Sequence, residues 1–245
     1  MKSDHRFSPR NRVPLVCFII LFLLFIALSA IICVLYVRNW SPKRFLFKLG
    51  FPVQQETNYS VSWDTLSQLD YDSDALFIGD SLTIGENFQE RFNTVKIINI
   101  GLAGDTLSGI KNRSYIIPRF KPEKIFIEGG INSLKSYSVD SIATEYEEMI
   151  RQISEQNVNS HLFIQSVLPI SNNKQAGGCT NTNIVELNDH LKSIAEKYGA
   201  VYIDLYSVYV LSGEMNPEYT IDGVHLKDEA KSLWLDALTP YLTNY

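Results

Sequence analysis

Ser81, His225 and Asp222 are the residues of this 245-residue chain whose types and spacing could make and break an ester bond. They lie in short blocks spread along the sequence: Gly79-Asp80-Ser81-Leu82, Gly104-Asp105-Thr106, Gly130-Ile131-Asn132 and Asp222-Gly223-Val224-His225. A serine hydroxyl is a weak nucleophile until a base takes its proton. His225 is suited to that task because Asp222, three residues earlier, can accept from one ring nitrogen and leave the other for Ser81. Of the other histidines beyond the N-terminal region, His161 opens an apolar run and His190 sits in a helical pattern beside Asn188 and Asp189, the setting of a solvated surface histidine.

Attack on a carbonyl produces an oxyanion that needs donors already in place, each worth about 2.7 to 4 kcal/mol of barrier. Ser81's own amide, a Gly104 amide exposed in a tight loop, and the Asn132 side-chain amide are the candidates. Each block also has a plainer reading. Serine after Gly-Asp is a routine helix cap, Asp-x-x-His is a common turn, and Gly101 and Gly129 are expected to be turn formers. Asp80 and Asp105 are expected to anchor their loops through hydrogen bonds.

The elements that must position these groups alternate. Apolar, strand-like runs occur at 75–78, 96–100, 124–127, 161–168 and 201–205. Between them, Val139, Ile142, Tyr146, Met149, Ile150 and Ile153 recur at helical spacing, as do Ile184, Leu187, Leu191 and Ile194, and later Leu226, Ala230, Leu233, Trp234 and Ala237. Alternating strands and helices predict a parallel sheet covered on both faces, with ligands beyond the carboxyl ends of the strands. The blocks follow the first, second, third and fifth strands.

In order and position, the four blocks resemble the SGNH, or GDSL, serine hydrolase family from about residue 75 to the end of the chain. The resemblance implies a three-layer α/β/α sandwich similar to flavodoxin, with a central five-stranded parallel sheet. It also implies Ser81, Asp222 and His225 as the catalytic triad and Ser81, Gly104 and Asn132 as the oxyanion hole. The aspartate often found after the asparagine is Ser133 here, and the proline often found after the histidine is Leu226. The loop 171–182 is expected to border the pocket, with Cys179 a bystander thiol.

Before this domain, residues 13–37 are apolar and uncharged. As a helix they would reach roughly 37 Å, enough to cross a hydrocarbon core of roughly 30 Å. The run exceeds the roughly 7 to 15 residues of a signal-peptide core, so an uncleaved signal anchor is expected. The division expected is a basic tail at 1–12, a transmembrane helix at 13–37, a stalk at 38–60 and the hydrolase domain at 61–245. Four basic residues lie on each side of the span, and the domain is placed outside a bacterial cell membrane because a short basic tail before one anchor is the common arrangement. From Leu49 onward 26 Asp/Glu outweigh 14 Lys/Arg, giving −12 against +7 for residues 1–48, which argues against nucleic acid as a partner.

The sequence thus points to a membrane-anchored serine esterase without metal or organic cofactor. Resemblance and location suggest a short acyl group, acetyl, on a cell-envelope carbohydrate. The alternatives are an O-acyltransferase served by a separate acyl-donor membrane protein, a non-catalytic glycan-binding module, and a lipid esterase.

Overall fold

A computed structural model describes residues 72–243. The tail, the span at 13–37, the stalk and the domain start near residue 61 lie outside the described residues. Among the described residues no helix is long and apolar enough to cross a membrane.

Five parallel strands form the central sheet: β1 (Ala75–Ile78), β2 (Ile97–Asn99), β3 (Lys124–Ile127), β4 (His161–Gln165) and β5 (Val201–Ile203), in the order β2-β1-β3-β4-β5. Every residue of β1 and β3 is buried, so their apolar runs are continuous rather than alternating. Register aligns Phe77 with Phe126 and Phe126 with Phe163. Since neighbouring strands lie about 4.8 Å apart, these rings stack, with centroids 4.5 Å apart in both pairs. The stack forms the floor of one core, completed by Phe88 of the short helix α2 (Phe88–Arg91) and by Trp234 and Leu238 of the C-terminal helix α7 (Asp228–Thr243).

The opposite face is covered by α3 (Leu107–Arg113), α4 (Val139–Gln156) and α5 (Asn181–Lys197), which pack in sequence against one another. The periodic residues predicted for α4, from Val139 to Ile153, are buried. The Ser138 hydroxyl caps its first turn by accepting from the Ser141 N–H. Burying one large apolar side chain contributes about 1.5 to 3 kcal/mol, so the buried stripe of α4 supplies far more than helix propensity does.

The structure trims three expectations. β4 ends at Gln165 rather than at residue 168, because the next backbone groups turn to side chains of α5. Asn188 brackets Val167 through both its N–H and C=O, and Asn181 does the same for Ile170. The last helix begins at Asp228, with Leu226 instead bridging Thr220 across the turn before it. Between β5 and that turn the chain forms a one-turn helix, α6 (Tyr206–Tyr209), and a hairpin of β6 (Val210–Leu211) and β7 (Glu214–Met215), so His225 does not directly follow the fifth strand.

Candidate active site

Just beyond the end of β1 the chain turns sharply into α1 (Ser81–Ile84). Asp80 makes the turn: its Oδ1 accepts the Leu82 N–H at 3.0 Å, capping the helix. Ser81 is the first helical residue, so its N–H has no acceptor within the helix. Gly79 is the only residue that fits before it, since a Cβ there would lie 2.1 Å from Thr83 Oγ1 and 2.7 Å from the Glu128 carbonyl oxygen. The cap of this helix is therefore Asp80 and not Ser81, which leaves the Ser81 hydroxyl free of the capping role.

Ser81 Oγ lies 3.1 Å from His225 Nε2, and His225 Nδ1 lies 2.9 Å from Asp222 Oδ2. The turn carrying the latter two is closed by its own hydrogen bonds. Asp222 Oδ1 accepts the N–H groups of Val224 and His225, and the Thr220 hydroxyl donates to the His225 carbonyl while accepting the Gly223 N–H. Gly223 has φ +92, and a Cβ there would press on Ser171 and Lys174, so the loop 171–182 does abut the acid–base turn. Burial works against the Asp222 charge, but the bonds from the His225 amide and ring and from the Val224 amide outweigh it and hold the carboxyl down to about 2. About half of each side chain, 47% of His225 and 46% of Asp222, is open to solvent.

Gly104, at φ +75, ends the stretch after β2, and its N–H has no acceptor among the described residues. Asn132 comes to the same place from beyond β3. Its Nδ2 donates to the Asp105 carbonyl at 2.9 Å and to Asp80 Oδ2 at 3.2 Å, so the amide predicted for the oxyanion is also a tie between two loops. Its two hydrogens are engaged, the longer bond being the one an incoming oxyanion could share.

Several supporting residues had no signal in the sequence. Arg113 at the end of α3 is largely buried; its Nη2 donates to the Gly79 carbonyl at 2.6 Å, its Nε to the Ile100 carbonyl, and its Nη1 pairs with Asp105. Burial lowers its guanidinium to about 10, with the Asp80 charge opposing that drop, so it remains a cation joining the first two blocks. Ser133, where an aspartate was expected from the resemblance, is buried, and its hydroxyl accepts the Leu107 N–H at the start of α3. Leu226, in the place of the proline, is buried in the core beneath α7.

The remaining candidates lie apart. His161 opens β4 at an exposed position, and His190 faces Asp140 between α5 and α4 with Nε2 3.8 Å from Oδ1. Cys179 is free and buried, and burial raises its thiol, with Lys135 opposing. A cavity of about 240 Å³ lined by Asp140, His190 and Lys197 among others opens between α4 and α5 and does not include Ser81.

Comparison with known proteins agrees with this fold. The GDSL-like lipase/acylhydrolase family matches residues 77–232. Among solved structures, a Bacteroides fragilis protein described as an acylhydrolase superposes with a TM-score of 0.65 at 22% identity, over 73% of this chain and 92% of its own. A GDSL-like lipase from Bacteroides thetaiotaomicron superposes at 0.61 and 21% identity, over 69% and 86%. An acetylxylan esterase from Geobacillus stearothermophilus does so at 0.57 and 18%, over 71% and 96%. At these identities the likeness establishes the fold. No curated protein sequence matches.

Proposed function

Because the chain belongs to the GDSL-like lipase/acylhydrolase family and is a carboxylic ester hydrolase, we propose that it removes a short acyl group, acetyl, from a carbohydrate of the cell envelope. Ser81, His225 and Asp222 act as the triad. Ser81 Oγ attacks the ester carbonyl carbon while its proton passes to His225 Nε2, and Asp222 steadies the imidazolium through Nδ1. The carbonyl oxygen becomes an oxyanion, met by the N–H groups of Ser81 and Gly104 and by Asn132 Nδ2. Collapse breaks the C–O bond, and the His225 proton leaves with the sugar hydroxyl. Water then repeats the sequence on the acyl-serine, giving the carboxylic acid and free Ser81.

The observation that carries this reading is the unbroken hydrogen-bonded chain from Ser81 through His225 to Asp222. Its openness supports the substrate class. A half-exposed acid and base suit a small acyl group presented on a large polar molecule. The acetylxylan esterase among the structural relatives lends the carbohydrate its plausibility. The same openness leaves room for a sugar hydroxyl in place of water, which would make the enzyme an acyltransferase with a membrane partner as donor. The N-terminal span would hold the domain at the outer face of the membrane.

Hydrolysis of chromogenic acetate, butyrate and octanoate esters by the unmodified protein and by Ser81→Ala tests the reading. Activity that is greatest on acetate and absent in the variant is expected. Activity independent of Ser81 would remove the triad, and preference for octanoate would replace the carbohydrate with a lipid. Acetylated oligosaccharides with and without acceptor sugars then separate hydrolysis from transfer, since only transfer gives acceptor-dependent product.

A further inference from the structure

Beneath the Ser81 turn lie two carboxyl groups that the mechanism above does not use. Asp80 and Glu128 are both fully buried, and their carboxyl groups lie near enough to interact. Glu128 follows the last residue of β3, and its Oε2 accepts the Thr83 hydroxyl at 2.9 Å. Its Oε1 is sealed from solvent and meets no N–H or O–H among the described residues. Tyr146, whose buried hydroxyl is also unpaired, is the other ionisable group near Glu128. No ion pair is formed by either carboxyl among the described residues.

Two carboxylates cannot share a hydrogen bond unless one of them carries a proton, and two bare charges in contact away from water are strongly disfavoured. The environments decide which is neutral. Asp80 accepts two N–H donors, from Leu82 and Asn132, and feels the positive charge of Arg113, joined by that of His225 only when the imidazole is protonated. Glu128 has the Thr83 hydroxyl as donor, the Asp80 backbone N–H also favours its charged form, and no cation faces it. The negative charge therefore belongs on Asp80 and the proton on Glu128.

We propose that Glu128 is a positioning residue held as the neutral acid, whose hydroxyl donates to the Asp80 carboxylate. One negative charge rather than two then lies beneath the Ser81 turn and the Asn132 amide. The consequence is electrostatic as well as geometric. Asp80 immediately precedes the nucleophile and holds Asn132, so undiluted charge there would both repel a forming oxyanion and bind the Asn132 hydrogen too tightly to release it. The Glu128 hydroxyl occupies part of the acceptor capacity of Asp80 and spreads its charge. Burial agrees, pushing Glu128 well above the ordinary carboxyl range and Asp80 to about 6.

The assignment separates two isosteric variants. In Glu128→Gln the new amide can donate to Asp80 while its oxygen still accepts from Thr83, copying the neutral acid. In Asp80→Asn an acceptor for Leu82, Asn132 or Glu128 is lost. Expected is a kcat close to that of the unmodified protein for Glu128→Gln, and a loss of about tenfold or more, with little change in KM, for Asp80→Asn. Infrared difference spectra between unmodified protein and Glu128→Gln, taken at pH 8 where Glu86 is ionised, should show the carbonyl band of a protonated carboxylic acid lost in the variant. A missing band, or a Glu128→Gln kcat that falls as far as that of Asp80→Asn, overturns the proposal. The kinetic arm rests on the esterase reading, whereas the infrared arm does not. If Ser81→Ala retained activity, the spectra would still decide the protonation.

Discussion

Asn132 is the residue on which structure and chemistry pull in different directions. Its amide ties the loop after β2 to the turn before α1, through the Asp105 carbonyl and Asp80 Oδ2. An oxyanion needs one of those hydrogens. The bond to Asp80, at 3.2 Å, is the weaker, and the angle between the two hydrogens leaves one committed to the loop while the other is shared. Asn132→Ala is therefore expected to lower kcat about a hundredfold or more with limited effect on KM, because the lost interaction matures only as charge develops. Steady-state kinetics on an acetate ester checks it, and an unchanged kcat would leave the oxyanion to the backbone donors alone. Asp222, held down to about 2, keeps its charge throughout any pH range in which such an assay is run.

At the scale of elements, the site depends on how α1 docks against α7. Glu86, just past the end of α1, is buried beside Lys231 and Asp228 of α7, and its backbone carbonyl accepts from Asn99. Burial raises its carboxyl from 4.5 to about 7, Lys231 partly offsets this, and Asp228 adds to it. Since the folded value exceeds the unfolded one, the folded state binds the proton more tightly, and the resulting stability is complete below pH 4.5 and lost as pH rises through about 7. Glu86→Gln should therefore gain on the unmodified protein between pH 5 and pH 8, on the order of 1 to 3 kcal/mol, a shift of several degrees in thermal midpoint. Equal differences at the two pH values would show that Glu86 titrates normally. This docking was not legible in the sequence, where Glu86 is one acidic residue among many. What was legible had strong periodicity or a continuous apolar run. β1 and β3 were found to the residue, and the buried face of α4 was read correctly, because the core leaves those positions no alternative. The end of β4 and the start of α7 differ from the local pattern because the Asn188 and Asn181 side chains of α5 capture the backbone of Val167 and Ile170, and the Leu226 backbone bridges Thr220 instead of entering the helix. Of the site residues, those proposed to do chemistry stand out by type and order. Arg113 and Ser133 bind backbone groups of distant segments and leave no local trace.

For the molecule as a whole, charge and hydropathy divide the sequence as an anchored enzyme would require. The +7 of residues 1–48 brackets an uncharged run of 25 residues, whereas the −12 from residue 49 onward keeps the catalytic part in water and repels it from anionic headgroups. The basic flanks favour the anionic headgroup layer and the acidic domain the water beyond it, so an anchor at 13–37 would hold the domain near the surface without drawing it in. The half-exposed side chains of His225 and Asp222 fit the proposed arrangement, in which an envelope polymer would approach from solvent rather than through the bilayer. Expressed in full, the protein is expected to sediment with membranes, resist extraction by high salt and dissolve in detergent. A chain beginning at residue 49 should be released into the soluble fraction with its acetate-ester activity intact, since every residue assigned to the site lies beyond Gly79. Release of the full chain by salt alone would make residues 13–37 something other than a span. Retention of the shortened chain on the membrane would place the attachment in the catalytic domain itself.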